Sequence, residues 1–191
     1  MNDSLNNDVD NCINTIKKGG LILYPTDTVW GLGCDPLNPD AIRKIYQLKN
    51  RPDEKSLILL AEDERMIRKY IDHPHHFVFE YLSDTKKPTT VIYSNPIGLP
   101  KELVENNNSI AIRIPNDPFC ISLLKKLGSP IVSTSANISG NPTPQIFSQI
   151  DDKIKSGVDY IVNYRQSDNN LSEPSSIIKI LDDGKIQIIR N

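Results

Sequence analysis

The chain is poor in cysteine. Cys12, Cys34 and Cys120 are odd in number, far apart and form no CxxC. That excludes a disulfide framework and a zinc knuckle, and fits a reducing compartment. Long hydrophobic runs are absent. No apolar stretch approaches the roughly 20 residues that span a bilayer, so no membrane-spanning helix is expected. Residues 1–10 are rich in Asn and Asp and lack the basic and apolar regions of a signal peptide. A cytoplasmic location is therefore expected. Charge of one sign is lacking too: 22 Lys and Arg stand against 24 Asp and Glu, for a net charge of -2. This argues against a dedicated nucleic-acid coat and leaves a local basic patch open. No GxxxxGK[ST] loop, no GxGxxG after a strand and no GxSxG elbow occurs, which removes several common enzyme classes. The His73-Pro-His75-His76 tract has no partner at zinc spacing, so no metal site is expected there. Cys34 has no evident His partner and reads as a buried structural thiol. The single tryptophan, Trp30, serves equally as a pocket wall or as core.

What the sequence does hold is apolar periodicity along its whole length. A chain of 191 residues has room for one domain, and a domain of this size buries roughly 70% of its unfolded surface without staples. Residues 9–18 carry Val9, Cys12, Ile13 and Ile16 on one face and predict a helix closed by Gly19-Gly20, with residues 1–8 a flexible terminus. Residues 20–24 form a short apolar strand that Pro25 stops. A polar, Gly-bearing loop follows through Asp35. Pro39-Asp40 opens a helix to Leu48. Residues 56–61 form a strand that is apolar on both faces, hence central. Short helices are expected over 64–71 and 76–82, strands over 89–93 and 109–114, a helix over 119–127, a strand over 130–134 and a helix over 147–155. Strands over 160–162, 176–180 and 185–189 close the chain, the last two joined by an Asp182-Asp183-Gly184 hairpin. Residues 165–174, rich in Asn, Ser and Asp, read as a mobile loop. This order predicts an α/β fold: a single-domain twisted mixed sheet flanked by helices.

Three polar clusters fall at strand ends, where open α/β sheets usually build their sites. They are Thr26-Asp27-Thr28, Lys49-x-Arg51 with Lys55, and Ser133-Thr134-Ser135-Ala136-Asn137. Cations in one loop neutralise a polyphosphate, with arginine giving planar bidentate contacts. Hydroxyls and an amide hold a compact polar ligand. Each cluster has a plainer reading: cations complementing a helix dipole, or hydroxyls bonding their own turns. Together they point to one cleft. In residues 109–114, alternation places Ser109, Ala111 and Arg113 on one face and three isoleucines on the other. The isoleucine face is core, so Arg113 faces either the cleft or a structural carboxylate.

Four segments in order resemble one family. Residues 23–33, Leu-Tyr-Pro-Thr-Asp-Thr-Val-Trp-Gly-Leu-Gly, resemble the Y-P-T-[ED]-T-x-[YF]-G-[LV]-G signature of the YrdC-like domain. Lys49-Asn50-Arg51-Pro52 resembles its K-x-R-P, residues 109–115 its S-x-[AG]-[VI]-R-[VI]-P, and residues 133–140 its S-T-S-A-N-x-S-G. The family is threonylcarbamoyl-AMP synthase, and the chain is similar to its short single-domain bacterial form. The resemblance implies a concave basic cleft and a reaction of L-threonine, bicarbonate and ATP, with Mg²⁺, to L-threonylcarbamoyladenylate and pyrophosphate. Partner proteins then carry the threonylcarbamoyl group to adenosine 37 of tRNA. A relative that binds nucleotide, tRNA or double-stranded RNA without synthase activity is the alternative.

By position, the resemblance assigns catalysis to Lys49, Arg51, Ser135 and Asn137. It puts the nucleotide on Arg51, Lys55, Ser109, Ser135, Thr143 and Arg190. It puts threonine and its carbamate on Thr28, Arg113, Ser133, Ser175 and Ser176. It implies no resident protein metal site. The chain departs from the family at Lys55-Ser56-Leu57, where K-P-L is usual, and at Leu60, where some members carry His. It also departs at Lys86-Lys87-Pro88-Thr89-Thr90, in place of W-P-G-P-x-T, and at Pro174-Ser175-Ser176-Ile177.

Overall fold

The computed structural model describes residues 2–50, 57–105, 107–181 and 185–191. Arg51, Lys55, Ser56 and the 182–184 hairpin tip lie outside the described residues. In chain order the elements are α1 (Asn2–Lys17), β1 (Ile22–Tyr24), β2 (Gly31–Cys34), α2 (Pro39–Leu48), β3 (Ile58–Leu60), α3 (Glu64–Ile67), α4 (Phe77–Asp84) and β4 (Thr89–Ser94). They continue with β5 (Ser109–Arg113), α5 (Pro118–Leu127), β6 (Ile131–Ser135), α6 (Asp152–Ser156), β7 (Tyr160–Ile161), β8 (Ser176–Ile180) and β9 (Ile186–Arg190). The strands form one mixed sheet in the order β7-β1-β2-β6-β3-β5-β4-β8-β9, which is the α/β class expected. No helix among the described residues is long and apolar enough to cross a membrane.

Caps and apolar stripes explain the two long inner helices. Asn38 accepts from the amides of Asp40 and Ala41 at the start of α2, Pro39 fills its first turn, and Ala41, Ile42 and Ile45 make the buried face. Asp117 caps α5 by accepting from Cys120 N, and Gly128 closes it in the left-handed region at φ 73°. The sheet is covered on both sides. Helices α2 to α4 pack with Leu57, Leu59, Val91, Ile110, Ile112 and Ile178 on one face. Helices α1 and α5 pack with Ile22, Leu23, Tyr24, Leu32 and Ile131 on the other. The second layer stops short of the far strands, and there the face stays open.

The structure departs from the sequence reading at identifiable places. Gly31 to Cys34, read as part of a loop, is a fully buried strand between β1 and β6. Its glycines mark a close approach, because a Cβ on Gly33 would lie 2.8 Å from the Tyr24 ring and 2.9 Å from Val132 O. The segment expected to be flexible before Val9 is helical from Asn2. Asp8 within it is 1% exposed and accepts from Tyr160 Oη and from the amides of Asn163 and Tyr164. The helix expected over 147–155 divides into a 3₁₀ turn at Phe147–Gln149 and α6, because Ile150 is extended and buried and Asp151 restarts the chain as an N-cap. The helix expected over 64–71 ends at Ile67. Finally, β3 lies between β6 and β5, the central position its two-sided apolarity predicts.

Candidate functional site

The cleft crosses the open sheet face rather than sitting at the strand ends. Register explains this: Ser135 pairs with Gly31, Ser133 with Ile58, Arg113 with Thr90, Thr90 with Ile177, and Ile177 with Arg190. These residues form a row over adjacent strands, and the cavity along them is about 270 Å³. Glycine and serine on β2 and β6 keep the floor low. The loop after β1 supplies Thr26, Thr28 and Trp30, and the approach to β8 supplies Pro174 and Ser175. Trp30 is both wall and core: it lines the cleft, is 6% exposed and packs on Phe147 at 4.8 Å between ring centroids.

Arg113 is the centre of this arrangement. Its side chain is 4% exposed. Nη1 donates to Thr28 Oγ1 at 2.7 Å and Nη2 to Thr26 Oγ1 at 3.4 Å. Asp27 Oδ1 lies 3.4 Å from Nη2, an ion pair by distance. It lies off the N–H axis, however, and makes no hydrogen bond among the described residues; nor does Arg113 Nε. Asp27 instead accepts from Asn116 N through Oδ2. An arginine placed only to stabilise the fold would be expected to satisfy every buried donor. A guanidinium paired this loosely, at the wall of a cleft, is set to meet another anion.

The other predicted residues divide into those the cleft gathers and those it does not. Thr28, Arg113, Ser133, Ser135, Thr143, Ser175 and Arg190 all line it. Tyr24 Oη donates to Ser133 Oγ at 2.7 Å, from a ring with no exposure; burial above all pushes that phenol well up. Thr90 Oγ1 and Ser175 Oγ share a hydrogen bond of 2.8 Å. Arg190 donates from Nε and Nη2 to Ser175 O at 3.1 and 2.7 Å. Its pKa is lowered, first by burial and then by neighbouring Arg113.

Asn137 orders the turn after β6: it accepts from Ser135 Oγ at 2.5 Å and donates to the carbonyls of Ile138 and Asn141. It faces an adjoining groove of about 380 Å³ that shares Thr143 with the cleft. Lys49 sits beneath that turn, 1% exposed, with Nζ donating to the carbonyls of Ser135 and Asn137. Ser109 shares a sheet face with Arg113 but stands four residues back, roughly 13 Å along the strand. There it donates to Glu105 and Asn107, outside the cleft lining. Ser176 is buried at the start of β8, its amide on Pro88 O, and also stands outside the lining.

Burial pushes all three thiols up, so Cys12, Cys34 and Cys120 stay protonated. Among the described residues no three His, Cys, Asp or Glu side chains gather to hold a metal.

Sequence reasoning passed over three residues of this region as site residues. Tyr24 ends a strand in front of Pro25, and nothing in its spacing shows that its hydroxyl reaches Ser133. Thr90 looks like any β-branched strand residue. Arg165 lies in the Asn-rich stretch read as a mobile loop. In the structure its guanidinium donates to Thr26 O and Asp117 Oδ2 at 3.0 Å each, and to Asp168 Oδ2 at 3.1 Å.

Known proteins share both the sequence and the fold. The Sua5/YciO/YrdC family model, described as telomere recombination, matches residues 14–191. A threonylcarbamoyl-AMP synthase of Cellvibrio japonicus is 38% identical over 140 residues, 73% of this chain and 74% of that one. One from Hahella chejuensis is 36% identical over 171 residues, covering 88% and 91%. The crystal structure of P. abyssi Sua5 complexed with L-threonine superposes with a TM-score of 0.83 at 21% identity. The match covers 95% of this chain and 53% of that one, so the chain spans about half the length of that protein. With the family model matched over nearly the whole chain, and with three of the four motif segments contributing residues to one cleft, the chain belongs to the Sua5/YciO/YrdC family.

Proposed function

We propose that the chain is a threonylcarbamoyl-AMP synthase, a nucleotidyl-transferring enzyme that makes L-threonylcarbamoyladenylate and pyrophosphate from L-threonine, bicarbonate and ATP. The observation that carries the reading is Arg113, nearly buried, loosely paired with Asp27 and held by Thr28 at the wall of a hydroxyl-lined cleft. A guanidinium so placed suits a small carboxylate. The L-threonine complex of the P. abyssi relative supports that choice, as do the names of the bacterial relatives.

Threonine's amine attacks the bicarbonate carbon and water leaves, giving a carbamate whose oxygen attacks the α-phosphorus of ATP as pyrophosphate leaves. The protein's task is to align the two anions and neutralise charge, and no covalent nucleophile is needed. In this reading Arg113 and Thr28 hold the threonine carboxylate. Ser133 and Ser175 flank the amine and hydroxyl. Ser135, Thr143 and Arg190 border the nucleotide, with Arg51 and Lys55 as its phosphate ligands. Mg²⁺ belongs to the proposal as the companion of the triphosphate, where it neutralises phosphate charge; its ligands would be phosphate oxygens with the Asn137 amide oxygen. The product then passes to transfer proteins acting on adenosine 37 of tRNA.

The test is pyrophosphate release with all three substrates and with each omitted in turn. Release that needs threonine, bicarbonate and ATP together supports the synthase. Nucleotide binding without such release would support the non-catalytic relative instead.

A further inference from the structure

We propose that Arg165 is a positioning residue for the amino-acid half of the cleft, resting on the synthase reading above. Arg165 does not line the cavity. Its backbone lies in the left-handed region at φ 66°, a conformation that glycine adopts freely and a long L side chain rarely does. A strained residue persists where its surroundings over-determine it, and here they do so from two sides.

From behind, the Asp8 carboxylate of α1 holds the turn through the amides of Asn163 and Tyr164. In front, the guanidinium is fixed by Asp117 and Asp168. Asp117 is itself immobile, being 3% exposed and engaged as the cap of α5 through its other oxygen. One acceptor remains on the Arg165 fork, and it is the backbone carbonyl of Thr26.

That carbonyl belongs to the loop that presents Arg113. Thr26 Oγ1 accepts from Thr28 N at 2.9 Å, and Thr28 Oγ1 accepts from Arg113 Nη1. The connection therefore runs from a rigid turn, through the Thr26 carbonyl, into the two threonines that aim the carboxylate-binding guanidinium. No other side chain bonds the Thr26 carbonyl among the hydrogen bonds of the described residues. The arrangement reaches Arg113 directly through Thr28, whereas the Ser135–Asn137 turn meets this loop only further along, where Ala136 N donates to Trp30 O. Loss of Arg165 should accordingly weaken threonine and spare ATP.

The experiment compares wild type, Arg165→Gly and Arg165→Lys in threonine-dependent pyrophosphate release, with KM measured separately for L-threonine and ATP. KM does not depend on how much of a preparation is folded, so partial unfolding does not imitate the effect. Glycine also suits the left-handed backbone, so relief of strain offsets part of what the missing guanidinium costs the fold. Arg165→Gly is expected to raise KM for threonine by about ten-fold or more, in line with displaced binding groups elsewhere, with the ATP KM within about two-fold of wild type. Arg165→Lys, which keeps one charged donor, should fall between. An unchanged threonine KM in both variants overturns the positioning role and leaves the synthase reading standing. Equal rises in both KM values also overturn it, since they mean general loosening of the fold. A wild-type protein that releases no pyrophosphate overturns both readings.

Discussion

Lys49→Met separates two accounts of a buried cation. The resemblance places Lys49 beside the ATP phosphates. The structure puts its ammonium on the carbonyls of Ser135 and Asn137, under the turn that borders the cleft. Methionine keeps the length of the side chain and removes the donors. Two charge-assisted hydrogen bonds are lost, each worth about 1.5–3 kcal/mol. Against this, the buried ammonium no longer has to be desolvated, which recovers part of the loss. The turn is half-exposed, so water repairs some of what remains. A net destabilisation of about 2 kcal/mol follows, and for a chain of this length that is roughly 4–8 °C in Tm. Thermal and urea unfolding would measure it, alongside the KM for ATP. A turn clamp predicts lower stability together with lower activity. A variant as stable as wild type, with the ATP KM alone raised, would refute the clamp and put the ammonium on phosphate.

Other expected outcomes test the remaining walls of the cleft. Arg113→Ala should abolish threonine-dependent pyrophosphate release while calorimetric ATP affinity stays within about three-fold; a collapse of ATP affinity in a folded variant would move Arg113 to the nucleotide. Tyr24→Phe retains the ring between Gly31 and Gly33 and deletes the donor to Ser133. It should cost about 1 kcal/mol in urea unfolding and raise the threonine KM. Gly33→Ala forces a Cβ to 2.8 Å from the Tyr24 ring and 2.9 Å from a backbone carbonyl, and should cost about 1–3 kcal/mol; a neutral effect would mean the β1–β2 hairpin yields. The three thiols ionise near 9.0 when unfolded and well above that when folded. Their contribution to stability is complete below pH 9 and is lost above it, by about 1.4 kcal/mol per pH unit for each thiol. Urea midpoints between pH 8 and 10 that do not fall would contradict their burial.

Much of this architecture was legible because local chemistry and tertiary structure agreed. Pro39-Asp40 marked the start of α2, and the alternation of residues 109–114 put Arg113 on the face opposite the isoleucine core, where it lines the cleft. The failures have a common cause. Gly31 and Gly33 read as loop because glycine carries no strand preference, and only the Tyr24 ring across the hairpin explains them. The N-terminal helix extends back to Asn2 because Asp8 finds its partners in residues 160–164, beyond any local window. Strand-end clusters suggested a crevice at the sheet's edge. Register instead carried those residues onto its face, and register is set by pairings that single-strand patterns do not encode. Lys49 and Ser109 looked alike as polar residues near motifs, and only their hydrogen-bond partners distinguish a turn support and a loop anchor from groups that line the cleft.

The sheet order has a consequence for how the protein is made. Strand β1 finds its parallel partner in β7, β2 waits for β6, and β4 pairs with β8. Such long sequence separations slow folding, since each closure loses chain entropy before new contacts repay it. A nascent chain that has reached β7 already carries Thr28, Arg113 and Ser133, yet β4 still presents Thr-Thr-Val-Ile-Tyr-Ser as an unpaired edge. That is an uncharged template rich in β-branched residues, of the kind that recruits other chains. The strand pair that completes the cleft wall at Ser175 and Arg190 is the same one that shields this edge. Premature termination, slow translation or proteolytic loss of the last two strands should therefore yield aggregates rather than a soluble protein of reduced activity.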